Sequence, residues 1–159
     1  YPTKNLLFTE GTNENFREDR YQHWPNAERY GNSMINDFNR GTVGWTDWNI
    51  LLDHTGGPNH VQNFCFAPIH ADTRTGELIY TPTYYYIGHF SKFVRPEAQR
   101  ISTSSSRSFL LATSFVNTDN QMATIVMNHT DKPVDYNFFV GEGQTKLTIP
   151  PRAMQTLVY

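Results

Sequence analysis

The first half of the chain alternates short apolar runs with longer amphipathic stretches. The run from Lys4 to Thr9 predicts a short buried strand, and the polar residues 12–20 after it predict a loop. Apolar residues recur at helical spacing over 25–39, which predicts an amphipathic helix. A second short buried strand is predicted over 42–48, and residues 51–73 are predicted to form a long loop.

A second helix is predicted to begin at Pro82. Proline suits the first position of a helix because its missing N–H would have no partner there in any case. The apolar positions that follow form one stripe at helical spacing: Tyr86, Ile87, Phe90 and Phe93. An aromatic stripe of this kind is typical of core packing, so we assign it no binding role.

The pattern changes to short β-type segments after Arg95 and Pro96. Turn residues separate five such segments, which is typical of an antiparallel sandwich: 109–116, 122–128, 134–140, 144–149 and 154–159. The polar serine run at 102–106 is expected to be an exposed strand edge or a loop. We therefore predict two domains, residues 1–93 and residues 94–159.

Composition and charge narrow the class of protein. The 159 residues carry a formal net charge of -2, so there is no basic stripe and no nucleic-acid partner is expected. No apolar run reaches the roughly 20 residues that span a bilayer, so no integral membrane segment is expected. Cys65 is the only cysteine, which excludes an internal disulfide framework.

Glu10 stands where the first predicted strand opens into a polar loop. Barrel enzymes present catalytic carboxylates in this position, because the strand fixes the backbone and the loop face admits substrate. An ordinary solvated glutamate is the alternative. The block at 44–49, Gly-Trp-Thr-Asp-Trp-Asn, and the Gly-Gly-Pro-Asn turn at 56–59 favour the functional interpretation, since tryptophans, an acid and amides at a strand end suggest a sugar-binding cleft.

The series of motifs resembles the C-terminal part of glycoside hydrolase family 30, the glucosylceramidase-like β-glycosidases. The motifs that carry the resemblance are Leu-Phe-Thr-Glu-Gly at 7–11, Gly-Trp-Thr-Asp-Trp-Asn at 44–49, Gly-Gly-Pro-Asn at 56–59, Tyr-Tyr-Ile-Gly-His-Phe-Ser-Lys-Phe at 85–93 and Gln-Arg at 99–100. The resemblance implies the last two βα units of a (β/α)8 barrel in residues 1–93 and strands of a β-sandwich in residues 94–159. A complete barrel takes about 250 residues, so we expect the rest of the enzyme upstream.

The resemblance implies a retaining mechanism with Glu10 as the nucleophile at the end of barrel strand seven. Such a mechanism needs a second carboxyl group as acid/base. In the family this is a Glu preceded by Asn at the end of strand four, which would lie upstream of Tyr1. This segment alone is therefore expected to be inactive. Glu14 follows Asn13, but it lies in the loop directly after Glu10 and is interpreted as loop surface.

Three further positions are implied to bind substrate. Trp48 matches the family's aromatic wall for the sugar, with core packing as the alternative, and Asn63 matches a position near the glycone. His60 stands where glucosylceramidases commonly have a tryptophan, a difference expected to alter the preference for the leaving group or for groups at the rim of the site. Trp45 lies three positions before Trp48 and is assigned to helix packing. Asp47 is interpreted as a structural anchor.

The implied substrate is a β-glucoside of the glucosylceramide type. An endo- or exo-β-1,6-glucanase, a β-xylosidase or a fucosidase-type enzyme are alternatives within the family, and a non-catalytic carbohydrate-binding module is the alternative from another class. Secretion or export is favoured by the resemblance. No cofactor or metal is expected, because His54, His60 and His70 match no zinc spacing. Asn128-His129-Thr130 fits the N-glycosylation pattern.

Overall fold

The computed structural model describes residues 3–159, which fall into two compact units, the first ending at Gly88 and the second running from His89 to Tyr159. The strands and helices follow one another along the chain in this order: β1 (Leu6–Gly11), β2 (Asn13–Glu14), a 3-10 turn (Glu18–Arg20), α1 (Trp24–Asn39), β3 (Thr42–Asp47), β4 (Leu51–Asp53), β5 (Cys65–Phe66), β6 (Ile69–Asp72), β7 (Glu77–Tyr80), α2 (Pro82–Ser91), β8 (Gln99–Ile101), β9 (Leu110–Val116), β10 (Met122–Asn128), β11 (Val134–Val140), β12 (Gly143–Ile149) and β13 (Met154–Val158).

The first unit is built on a strand–helix–strand motif. β1 and β3 pair in parallel, and α1 connects them. Pro25 lies at the start of α1, where it leaves no intrahelical hydrogen bond unmade. The helix buries the side that the sequence pattern predicted, with Ala27, Tyr30, Gly31, Met34 and Ile35 inaccessible to solvent. The prediction of α1 is confirmed.

The prediction that β1 and β3 are buried is wrong for the described chain. Leu7 in β1 is 58% exposed and Val43 in β3 is 62% exposed. Among residues 3–159 the two strands pair only with each other. A closed (β/α)8 barrel covers each strand with two neighbouring strands and a filled interior, and two strands cannot supply that cover.

The predicted long loop over 51–73 contains regular structure. β4 pairs in parallel with β6, β6 pairs with β7, and β5 pairs with β2. The prediction of one loop is therefore wrong. The sequence did not indicate these strands because they are only two to four residues long, too short to show a periodic pattern. The turn at 56–58 includes a cis bond between Gly57 and Pro58.

α2 begins at Pro82, as predicted, and Tyr86 and Phe90 are buried. Ile87 and Phe93 are only half-buried. No helix within residues 3–159 has the length and apolar character needed to cross a membrane.

The second unit has an antiparallel sheet in the order β13-β10-β9-β8 and a separate hairpin of β11 and β12. Leu110, Val126 and Ile149 form a buried cluster between them, flanked by Val134 and Tyr136. The five predicted β segments are confirmed to within a residue or two at their ends. The short strand β8 was not predicted, because three residues give no readable alternation.

Candidate active site

The carboxyl ends of β1 and β3 lie side by side. Phe8 is opposite Trp45 and Gly11 is opposite Asp47, so three steps along β1 match two steps along β3. The extra residue makes a bulge over Thr9 and Glu10. Bulges of this kind re-aim side chains and are common next to active sites.

The bulge determines the side on which Glu10 lies. The Phe8 ring stacks on the Trp45 ring at 4.8 Å with 6° between the planes. Gly11 faces the same indole so closely that an added Cβ would overlap it. Phe8 and Gly11 therefore lie on the side of the sheet that faces Trp45. Glu10, next to Gly11, projects to the opposite side, where it is exposed.

Trp48 follows β3 and is tied to the end of β1. Its backbone N–H donates to the Gly11 carbonyl at 2.8 Å and to Asp47 Oδ1 at 3.0 Å. Asp47 faces α1 and ends β3, so continued strand alternation predicts that its neighbour Trp48 faces the other way, on the side of Glu10. The Trp48 side chain is 39% exposed. Strand geometry thus predicts one shared face for Glu10 and Trp48 at two adjacent strand ends.

Asp47 is bonded to the helix beneath the sheet. The Tyr30 hydroxyl donates to Asp47 Oδ1 at 2.7 Å. Burial raises the pKa of Asp47 to about 6, against the lowering effect of its hydrogen bonds from Tyr30 and Trp48. The prediction that Asp47 is an anchor is confirmed by these contacts.

Trp45 packs against α1, as predicted. Its indole N–H donates to Asp37 Oδ2 at 3.2 Å, and its ring meets Tyr30 edge-on at 5.1 Å between centroids.

Buried oxygens at these strand ends lack hydrogen-bond partners within residues 3–159. They are Thr12 Oγ1, Asn13 Oδ1, Asp47 Oδ2 and Asn49 Oδ1. Buried polar atoms are nearly always paired, so their concentration beside Glu10 and Trp48 indicates a polar site.

Asn63 lies in the loop before β5 and contacts Glu14, which lies in β2 rather than in the predicted loop. Its side-chain amide donates to Glu14 Oε1 at 3.2 Å. Asn59 closes the loop from the other side, accepting from the Asn63 N–H at 3.2 Å and donating to its carbonyl at 2.7 Å. Glu14 is exposed, as predicted, yet it is paired with a predicted site residue, which the sequence did not indicate.

His60 is exposed in the same loop. Its neighbours along the chain, Asn59 and Val61, are joined by a hydrogen bond from the Val61 N–H to Asn59 Oδ1 at 2.9 Å. The loop backbone thus presents the imidazole to solvent.

His70 was predicted to be a loop histidine and is instead fully buried in β6. Its Nε2 accepts from the Ala67 N–H at 3.0 Å, so Nδ1 carries the proton and donates to the Asp53 carbonyl at 2.8 Å. Burial lowers the pKa of His70. The Phe16 ring stacks on the imidazole at 4.8 Å between centroids. His70 therefore holds the segment that contains Phe16 and the end of β4 against β6, in the sheet of β4, β6 and β7.

Arg74, in the turn between β6 and β7, makes a second link to the segment that follows β1 and β2. Its guanidinium pairs with Glu18 in the 3-10 turn and with Asp72 at 2.7 Å. The hydrogen bonds from Arg74 hold the pKa of Asp72 well below its usual range. That segment is thus held at two points.

Within the part of the chain that the structure describes, no three His, Cys, Asp or Glu side chains group as a metal site. Cys65 is buried and its thiol donates to the Asn63 carbonyl at 3.3 Å.

Asn128 of the glycosylation pattern is completely buried. Its side-chain amide donates to the carbonyls of Lys132 at 2.8 Å and Pro150 at 2.9 Å, and its oxygen accepts from Thr130. The folded domain therefore does not present Asn128 for modification.

A parallel βα unit in the first unit is followed by an antiparallel β-domain in the second. The model of the glycosyl hydrolase family 30 TIM-barrel domain matches residues 1–94, and that of the family's beta sandwich domain matches residues 97–157. The chain belongs to glycosyl hydrolase family 30. The predicted fold class, the C-terminal part of a (β/α)8 barrel followed by a β-sandwich, is confirmed.

Relatives of known name and structure agree with this assignment. The chain is 34% identical to the lysosomal acid glucosylceramidase of Mus musculus over 72% of its own length and 22% of the relative. It superposes on SrfJ from Salmonella typhimurium with a TM-score of 0.94 and 35% identity, covering 99% of this chain and 35% of that one. The endo-beta1,6-glucanase BT3312 gives a TM-score of 0.81 and 26% identity, covering 98% of this chain and 35% of that one. The chain spans about a third or less of each relative.

Proposed function

We propose that this chain is the C-terminal portion of a retaining β-glycosidase, with residues 1–93 from its barrel and 94–159 from its sandwich. Glu10 is the nucleophile. Its carboxylate oxygen bonds to the anomeric carbon as the glycosidic bond breaks, and a proton passes to the leaving oxygen from an acid on another barrel strand. Water then opens the glycosyl-enzyme ester and the sugar is released.

The observation that carries this proposal is the relationship between Glu10 and Trp48. The bulge in β1, the register with β3 and the hydrogen bond from Trp48 to Gly11 that joins the two strand ends all support one face for both side chains. An indole beside a carboxylate offers an apolar surface for the C–H face of a pyranose while the acid reaches its anomeric carbon. Asn63 and His60 are assigned to the polar rim of the same site.

We propose a β-glucosyl bond of the glucosylceramide type as the substrate. The 34% identity to the mouse lysosomal acid glucosylceramidase supports this choice. The likeness to an endo-beta1,6-glucanase supports a β-1,6-glucan as the second candidate. His60 bears on the choice, because an imidazole at the rim can donate hydrogen bonds to an oligosaccharide more readily than it can cover a lipid chain.

A non-catalytic carbohydrate-binding module finds less support. Such a module presents aromatic rings together on one sheet face. In the hairpin of β11 and β12, Tyr136 is bonded to Gln155 at 3.0 Å, Phe138 packs on Tyr159, and Phe139 alone is largely exposed.

The test is covalent labelling of the full-length protein with a 2-fluoro-glucoside, which traps the glycosyl-enzyme ester. Peptide mapping should find the label on Glu10. Glu10→Gln should remain folded and lose turnover of an aryl β-glucoside by about 10⁴-fold or more, whereas Glu142→Gln, an exposed carboxylate in the second unit, should not change the rate. A label on another side chain would remove the assignment. The 159-residue chain by itself should not turn over the substrate.

A further inference from the structure

The hydrogen bonds of Trp48 are made by its backbone. Within residues 3–159 its indole makes no hydrogen bond or ring contact, although Trp24 and Trp45 each pack against another ring. The Trp48 N–H donates to Gly11 O at 2.8 Å and to Asp47 Oδ1 at 3.0 Å. A change that moves Asp47 therefore also moves the Trp48 backbone, from which the indole projects.

Asp47 is itself held by α1. Tyr30 is 3% exposed, and its hydroxyl donates to the Asp47 oxygen that also receives the Trp48 N–H. Burial is the larger cause that raises the pKa of Tyr30, and the nearby Asp47 carboxylate raises it further. The hydroxyl therefore keeps its proton for this hydrogen bond. Arg29 on α1 and Cys65 on β5 are the other titratable groups that act on Tyr30.

We propose that Asp47 is a positioning residue, which transmits the fixed position of Tyr30 in α1 to Trp48 and so sets the indole relative to Glu10. Asp47 faces α1 and not the side on which Glu10 projects, so it acts through Trp48 rather than on the substrate. The inference deepens the proposed function and rests on it for its effect on catalysis. What Asp47 supplies is a hydrogen-bond acceptor at Oδ1, which an asparagine also supplies.

Two readouts on the full-length protein test this role. The first is ¹⁹F NMR of protein labelled with 5-fluorotryptophan, in which single Trp→Phe substitutions assign the Trp24, Trp45 and Trp48 resonances; this readout needs no activity. The second is kcat/KM for an aryl β-glucoside. The variants are Asp47→Ala, Asp47→Asn and Tyr30→Phe. Tyr85→Phe is the control, because Tyr85 is exposed and its hydroxyl makes no hydrogen bond within residues 3–159.

Asp47→Ala should shift or broaden the Trp48 resonance, leave Trp24 unchanged and lower kcat/KM roughly 10-fold or more, since small misplacements of positioning groups are costly. Asp47→Asn should restore the resonance and bring kcat/KM to within about 3-fold of the parent. Tyr30→Phe should reproduce part of the Asp47→Ala effect, and it serves as the test if Asp47→Ala does not fold. Tyr85→Phe should change neither readout.

Two results would overturn the inference: an unshifted Trp48 resonance in folded Asp47→Ala, or an Asp47→Asn variant as impaired as Asp47→Ala, which would assign a direct role to the charge. If the parent protein turns over no β-glycoside, the proposed function fails separately. The ¹⁹F spectra then still decide whether Asp47 positions Trp48.

Discussion

The side-chain amide of Asn63 donates a 3.2 Å hydrogen bond to Glu14 Oε1, joining positions 49 residues apart in the sequence. The bond determines the chemistry that Asn63 offers. One N–H of its NH₂ group is committed to a carboxylate, which leaves the second N–H and Oδ1 for sugar hydroxyls. We therefore propose that Glu14 acts on the glycone site through Asn63.

This pairing predicts unequal effects for the two residues. Asn63→Ala should raise KM for a β-glucoside about 10-fold, the equivalent of one good hydrogen bond. Glu14→Ala should raise it about 3-fold, because the amide remains but is less well oriented, and Glu14→Gln should fall between Glu14→Ala and the parent. Steady-state kinetics of the full-length protein measure the difference. A larger effect of Glu14→Ala than of Asn63→Ala would mean that Glu14 touches the substrate itself.

Trp48→Ala should weaken glycone binding. The loss of one face of the sugar site is expected to lower kcat/KM by about 10- to 100-fold, in line with the contribution of a stacked aromatic ring. Trp45→Phe is the matched control, because Trp45 donates to Asp37 on the opposite face. That change should lower the Tm with kcat/KM nearly unaltered. If Trp45→Phe lowered kcat/KM and Trp48→Ala lowered only the Tm, then Trp45 rather than Trp48 would face the substrate.

The raised pKa of Asp47 predicts a pH-dependent stability. The folded state holds this proton up to about pH 6, whereas the unfolded chain releases it near 3.8. The contribution of Asp47 to the free energy of unfolding is therefore largest below about pH 4 and is lost as the pH rises to about 6. Asp47→Asn cannot ionise, so its stability relative to the parent should rise by about 1–2 kcal/mol between pH 4 and pH 7, after allowance for partial solvent access.

Urea unfolding of the full-length protein, followed by circular dichroism at several pH values, measures this difference. A stability difference that stays constant from pH 4 to pH 7 would contradict the assignment. Tyr30→Phe should move the transition to higher pH, because the Tyr30 hydrogen bond lowers the pKa of Asp47.

The hydrogen bonds of the buried Asn128 predict that its replacement destabilises the second unit. Asn128→Ala removes two donated and two accepted hydrogen bonds at a fully buried position. The free energy of unfolding should fall by about 2–4 kcal/mol. Asn137→Ala, at an exposed position of β11, should change it by less than about 0.5 kcal/mol. Chemical denaturation compares the two, and equal effects would contradict the anchoring role.

The long periodic elements were predictable from sequence, and the short ones were not. α1 and the strands β9 to β13 carry enough turns or alternations for the apolar pattern to specify them. β4, β5 and β6 have only two to four residues. β4 and β5 form because backbone partners well separated in sequence, in β6 and β2, meet them, and that information is not local.

The sequence by itself determined that a carboxylate, an indole and an amide follow strand-forming segments in an order that resembles one hydrolase family. It also determined the two helices, because 3.6-residue periodicity is a local property. Only the tertiary structure decided the face on which Glu10 projects, since one extra residue in β1 reverses every later side chain relative to β3. The roles of Tyr30, Glu14 and His70 were likewise decided by contacts between distant segments, which no spacing along the chain encodes.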